Sequence, residues 1–386
     1  MTTSPTRPAG AARTTSTTRA ELLPHPRRLV ELGPHGGAHW VALRAGVAVA
    51  IPLGILYATG HIDLALYAVF GAFTALYGRS HTHVTRLRMQ ASAGVGLVLA
   101  VVIGTAVSVS GARDWIVLPV VAVIAAGATF VADALDWHPP GALFFVFALA
   151  ACASVPADAG RILTAFVLAA VSAVVAMIIS TAGLALPRWR NREPTRLAIS
   201  FAATANRPGE LAKVAAVGAA VLIAGAIPTA TGLGHPYWAM VSAVAALGAA
   251  DTAGHLVRAG QRVLGTLVGV GLAAVLLAVS AASGSATGST AAQLELIVSV
   301  VLLQVGAELF VMRNYGVTMI FVTPLALLMS QLAHPLDEVA LLRDRTLETL
   351  LGAAVGIAVS LVATLAASRA RSRPRAGHHP HARTDP

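Results

Sequence analysis

Asp251-Thr-Ala-Gly-His255-Leu-Val-Arg258-Ala-Gly-Gln-Arg262-Val-Leu-Gly265-Thr266-Leu-Val-Gly269 is the stretch on which the reading of this chain turns. Asp251, His255, Arg258 and Arg262 recur at i, i+4, i+7 and i+11, and the run that follows, Val263–Val279, holds no Asp, Glu, Lys or Arg. A helix advances about 100° per residue, so this spacing puts the four side chains on one stripe if the helix is continuous. The same spacing occurs 172 residues earlier in Arg79, His83, Arg86 and Gln90. A polar stripe that occurs twice in apolar surroundings predicts two copies of one unit.

The surroundings set the class. The 386 residues are 56% hydrophobic and 11% charged, with a mean hydropathy of +0.74. So few charges cannot keep that much apolar surface in water. Trp115–Val131 and Ile162–Ala185 are uncharged as well, and about 20 apolar residues cross a bilayer as a helix. The expected fold is therefore all-α and polytopic in a membrane. Gly265/Gly269 and Gly352/Gly356 fit the small-xxx-small pattern by which membrane helices approach closely. Cys152, the single cysteine, reads as a small core residue. A net charge of +10 would suggest nucleic acid in a soluble protein. Here the arginines gather in loops and tails, where they orient a membrane protein, and no nucleic-acid partner is expected.

Apolar segments fall at 41–58, 62–78, 88–110, 115–132, 140–156 and 162–186, then at 211–231, 236–250, 261–282, 292–311, 315–332 and 346–367. This predicts about 12 transmembrane helices as two six-helix repeats, 41–186 and 211–367. A basic linker at 187–210 joins them, with a disordered tail at 1–40 and a basic tail at 368–386. Segments 140–156 and 236–250 are short for a span. With the N-terminus inside, the outward connections carry only Arg113, Arg161, Arg343 and Arg345 of the 27 Lys and Arg. That bias places both termini in the cytoplasm and the protein in the plasma membrane. Six helices per copy is an even number, so the copies share one orientation, as parallel repeats. Arg369, Arg371, Arg373 and Arg375 add a basic patch after the last helix, and His378, His379 and His381 read as a solvated tail rather than a metal site.

Local echoes support the repeat. Leu66-Tyr67-Ala68-Val69 answers Tyr237-Trp238-Ala239-Met240, Pro140-Gly141-Ala-Leu-Phe-Phe answers Tyr315-Gly316-Val-Thr-Met-Ile, and Arg161-Ile-Leu-Thr-Ala answers Arg345-Thr-Leu-Glu-Thr. Tyr237-Trp238-Ala239, Arg258 and Arg262 leading into Gly265-Thr266-Leu-Val-Gly269, the Tyr315 run, and Arg343/Arg345 before Gly352 resemble the fusaric acid resistance and aromatic acid exporter superfamily. The resemblance covers about 41–185 and 211–367. Better-known members insert a sizeable cytoplasmic domain between the halves, where this chain has a short linker. The resemblance implies export of anionic aromatic or other carboxylated compounds, coupled to protons. Plant malate channels look like distant relatives with one membrane half per chain, which keeps a channel mode open.

An Arg near the bilayer centre costs about 2.5–3.5 kcal/mol. A stripe of three or four polar groups on the lipid face would cost about 10 kcal/mol on the same scale, so it must face protein, water or the interface. The functional reading puts Arg86, Arg258 and Arg262 at the inner mouth, drawing carboxylates, with Tyr315 added by the resemblance. The competing reading makes the arginines ordinary positive-inside anchors. Asp251, His255 and Glu308 are candidates for proton coupling. Asp251 can equally cap a turn or pair with Arg258, and Glu308 can pair with Arg313. Asp133, Asp136 and His138 read as loop residues, and Pro139-Pro140, Pro228 and Pro324 as kinks or helix starts.

No His-Glu-x-x-His, Gly-x-Ser-x-Gly or Gly-x-x-x-x-Gly-Lys-Ser/Thr occurs, so no enzyme, metal or cofactor is expected. His35 and His39 lack a third ligand. The expected partners are a small organic anion and the lipid bilayer, with a homodimer left open. A structural or regulatory role in the cell envelope, or an anion channel, stands as the alternative.

Overall fold

The computed structural model describes residues 27–182, 196–249, 251–282, 289–333 and 337–372. Among these there is no strand. The first half contributes α1 (Ala38–Ala58), α2 (Ala65–Ala72), α3 (His83–Ser108), α4 (Arg113–Ala134), α5 (Leu143–Ser154) and α6 (Gly160–Thr181). The second contributes α7 (Glu210–Thr231), α8 (Tyr237–Ala246), α9 (Thr252–Ala282), α10 (Thr290–Phe310), α11 (Tyr315–Ala333) and α12 (Glu338–Ser372). Each apolar segment of the sequence thus holds a helix.

Among the described residues, nine helices are long and apolar enough to cross a membrane: α1, α3, α4, α6, α7, α9, α10, α11 and α12. The other three apolar stretches, Ile62–Leu76, α5 and α8, are shorter. Their ends have local causes. After a 3₁₀ turn at Phe73–Leu76 the chain becomes extended at Tyr77 and takes φ 68° at Gly78, which ends the α2 stretch. Pro139 and Pro140 remove two backbone donors, and Gly141 at φ 82° turns the chain into α5. Segment 62–78 thus joins the two singled out from the sequence in holding less than a full-length helix.

Side chains large and exposed along the long helices, such as Val95 on α3, Leu163 on α6, Val268 on α9 and Leu302 on α10, form the apolar surface a lipid phase covers. Inside, small residues let the helices close. A side chain at Gly265 would collide with the Gly316 carbonyl, and one at Gly352 with the Ala239 carbonyl. A Cβ at Gly269 would sit 2.7 Å from Thr323, and one at Gly356 2.8 Å from Ala246. Both small-xxx-small pairs therefore lie at helix contacts, α9 on α11 and α12 on α8.

The packing pairs run in parallel between the halves. α3 packs on α5 and α6, and α2 on α6; α9 packs on α11 and α12, and α8 on α12. Across the halves α1 lies on α10 and α4 on α7, while α2 meets α11 and α5 meets α8. The four elements α2, α5, α8 and α11 thus come together at the centre.

The flanking segments differ in part from expectation. Within the tail read as disordered, Arg27–Val30 is a one-turn helix and α1 starts at Ala38. Asn314 and Gln261 side-chain amides donate to carbonyls at Arg28, Leu29 and Glu31, which ties this segment across α9 and α11. In the linker, Phe201–Ala205 is helical, with Ser200 accepting from the Ala203 N–H as its cap. Residues 1–26, 183–195 and 373–386 lie outside the described part, and with them Arg373, Arg375 and the tail histidines.

Candidate functional site

The first polar stripe does not hold all four residues. α3 begins at His83, so His83, Arg86 and Gln90 share its face and Arg79 lies before it. The extended stretch at Tyr77–Gly78 forces this break. In the second copy α9 runs unbroken from Thr252, carrying His255, Arg258 and Arg262 through Gly254.

Arg86 is buried and donates to the carbonyls of Gly78 (3.2 Å), His81 (2.7 Å) and Ser180 (3.1 Å). Gln90 donates to the Tyr77 carbonyl and to Ser180 Oγ. Together they hold the non-helical chain after α2 against α3 and α6. Beside them His81 faces His138 at 5.3 Å between ring centres. Partial burial, then the neighbouring His138 and Arg86, push the His81 imidazole below its usual value, with Asp136 opposing.

Arg262 is 2% exposed; its Nε donates to Ser242 Oγ at 2.9 Å and its Nη1 to the Tyr315 hydroxyl at 2.7 Å. Arg258 donates to the Ala245 carbonyl and lies over the Tyr315 ring. The structure thus gathers Arg258, Arg262 and Tyr315 in one place. Arg86 sits in the other half. Arg258 and Tyr315 also line an open cleft of about 460 Å³ with Arg28, Glu31 and Arg313.

Asp251 accepts the Gly254 N–H at 2.8 Å and so starts α9. His255 lies between Ser360 Oγ (2.6 Å) and the Ala249 carbonyl (3.0 Å). Glu308 pairs with Arg79 of the other half. The Arg313 alternative fails because the Arg313 Nε donates instead to the Gly33 carbonyl.

A cavity of about 230 Å³ opens where α2, α5, α8 and α11 meet. Phe70, Phe73, Phe147, Tyr237, Ser330 and His235 are among its walls, and among the described residues no Arg, Lys, Asp or Glu lines it. The Tyr237 hydroxyl is 3.4 Å from Ser330 Oγ, and the Phe147 and Tyr237 rings lie nearly parallel, 6.3 Å apart. An aromatic box with hydroxyls and an imidazole suits a compact ring bearing one polar group.

Behind the cavity lies a cluster that the sequence reading passed over. Asp344 accepts the Gly234 N–H at 3.2 Å, and its Oδ2 is 3.3 Å from His235 Nδ1. Glu348 accepts the His235 N–H at 2.9 Å. Arg345 is buried, with its guanidinium 5.2 Å from the centre of the Trp238 ring. One signal was available: Asp344 and Glu348, spaced i, i+4, stand where the echo in the first half has Gly160 and Thr164.

Residues 219–359, most of the span from α7 to α12, match the model of the family described as fusaric acid resistance protein-like. The matched segment takes in the motifs at Tyr237, Arg258, Arg262 and Tyr315. The uncharacterized membrane protein YvaC of Bacillus subtilis (strain 168) is 29% identical over 148 residues, 38% of this chain. The chain covers 22% of that relative's length. No solved structure matches.

Proposed function

We propose that this protein is an efflux transporter for small organic anions, single-ring aromatic carboxylates above all, across the plasma membrane. The observation that carries the reading is the central cavity, built from both halves and walled by Phe70, Phe73, Phe147 and Tyr237. In this reading the ring of the substrate packs among those side chains, and its carboxylate faces the Tyr237 hydroxyl, Ser330 and His235. The matched packing pairs of the halves support a pair of parallel six-helix repeats, with the pathway on the axis between them.

Charge gives the direction. The end that carries the α2–α3 and α8–α9 connections holds Arg79, Arg86, Arg258 and Arg262 with Asp136, Asp251 and Glu308, and this end faces the cytoplasm by the positive-inside rule. A field of that sign concentrates anions at the inner mouth. Buried Asp344 and Glu348 lie at the opposite end, balanced there by Arg343 and Arg345.

Cells lacking the protein should accumulate a hydroxylated aromatic acid or become sensitive to it, and unchanged levels across a broad panel of weak acids would sink the proposal. Arg258→Gln separates transport from a purely structural role in the envelope. It should depress export at normal expression, whereas a scaffold would lose little.

A further inference from the structure

We propose that Asp344 and Glu348 form a proton-binding site that latches the α7–α8 loop over the central cavity. This rests on the transport reading for its purpose, though not for its test. The loop supplies Gly234 and His235 to the cavity wall. Its two backbone N–H groups point away from the cavity and are held by the two carboxylates, Gly234 by Asp344 and His235 by Glu348.

Two observations mark the site as more than a fastening. The first is an orphan. Glu348 is fully buried, its Oε1 takes the His235 N–H, and its Oε2 has no hydrogen-bond partner among the described residues. A buried carboxylate oxygen without a donor costs free energy on the order of 1–3 kcal/mol or more. A proton on Oε2 removes the buried charge and leaves the smaller cost of an unpaired neutral hydroxyl. The second is asymmetry. The corresponding loop of the first half is fastened by an exposed ion pair, Asp63 with Arg161, and the echo places Gly160 and Thr164 where Asp344 and Glu348 stand. Closing this junction therefore does not require buried carboxylates, and only the second half has them.

The groups that face the site are few. On α12 they are Asp344, Arg345 and Arg343, the last on Asp344 Oδ1 at 2.9 Å. The loop contributes His235, and Tyr237 on α8 lies within electrostatic reach of Glu348. Arg262 on α9 and Tyr315 on α11 act through Arg345. α7, which also packs on α12, has no titratable side chain after Lys213.

The step balances simply. A hydronium ion gives up a proton, its O–H bond breaking as an O–H bond forms on Glu348 Oε2, and the products are a neutral carboxyl and water. A hydrogen bond to a neutral acceptor is about half as strong as one to a carboxylate, so the His235 N–H is held less firmly and the loop can leave the cavity wall. Protonation of Asp344 weakens the Gly234 contact in the same way. Deprotonated, the latch is shut; protonated, it opens.

The test reads the gate directly. Met329 lines the cavity and is 3% exposed. In a Cys152→Ala background, Met329→Cys in reconstituted protein is labelled with a membrane-impermeant maleimide, with rates corrected for thiolate content by a fully exposed cysteine control. Corrected labelling should be several-fold faster at acid than at alkaline pH. Glu348→Gln should label fast at both, and Glu348→Asp should restore a pH dependence. A corrected rate that is the same at both pH values overturns the proposal whatever the variants do, and so does a Glu348→Gln protein that stays slow at alkaline pH. Absence of substrate flux alongside pH-gated labelling would sink the transport reading and leave the latch standing.

Discussion

The hydroxyl of Tyr315 accepts a 2.7 Å hydrogen bond from Arg262, while the guanidinium of Arg258 lies 4.1 Å from the centre of the same ring. One tyrosine at the start of α11 thus takes up two arginines of the α9 stripe. Tyr315→Phe keeps the ring beneath Arg258 and leaves Arg262 Nη1 with Met319 Sδ at 3.4 Å as its remaining partner. Losing a buried acceptor of a charged donor should cost about 1–3 kcal/mol. Thermal unfolding of the purified variant in detergent should show the loss, and an unchanged melting temperature would count against the contact.

Arg79 and Glu308 pair across the two halves at 11% and 6% side-chain exposure. Removing one partner of a buried pair strands the other charge, so Arg79→Ala and Glu308→Ala should each destabilise by about 3–5 kcal/mol. Arg79→Met combined with Glu308→Leu should recover part of that, the remainder being held back by Arg44, which also faces Glu308 and loses its counter-charge. A denaturation series of the three proteins checks it, and additive losses in the double variant would refute the pairing.

Gly352 sits where α12 crosses α8, and an added methyl would meet the Ala239 carbonyl. Gly352→Ala should therefore destabilise by about 1–3 kcal/mol. Gly54 on α1 has open space in the same position, so Gly54→Ala should be neutral or mildly stabilising. Equal melting temperatures for the two variants would contradict the close crossing.

Ala326 lines the cavity from α11 and carries no hydrogen bond of its own side chain. Ala326→Phe puts a phenyl ring into a space of about 230 Å³. Export should fall by an order of magnitude while expression and membrane insertion stay near wild type. Normal export from this variant would place the pathway elsewhere.

The helices were legible because apolar run length is a direct physical requirement of the bilayer. Their ends were less so. α3 and α9 begin at His83 and Thr252 rather than at 88 and 261, because polar residues continue the helix beyond the apolar run. The α2 stretch read as a full span because nothing in Phe73–Leu76 announces a 3₁₀ turn; only Gly78 hinted at the break. At the site, the stripe drew attention to Arg258 and Arg262, and the Tyr315 motif to the ring that touches both. Periodicity on one helix could not reveal that Glu308 reaches Arg79 or that Glu348 reaches the His235 backbone. Those contacts join residues 229 and 113 apart, and it takes the packing of α10 on the first half and of α8 on α12 to bring them together.

The most direct test of the central claim is flux through the purified protein. Liposomes containing it would be loaded with a radiolabelled single-ring aromatic carboxylate and its release followed against protein-free liposomes. Release should be faster with the protein, should compete with unlabelled substrate, and should be lost in Ala326→Phe. Release no faster than from protein-free liposomes, across a panel of such acids and with the protein folded, would contradict the account.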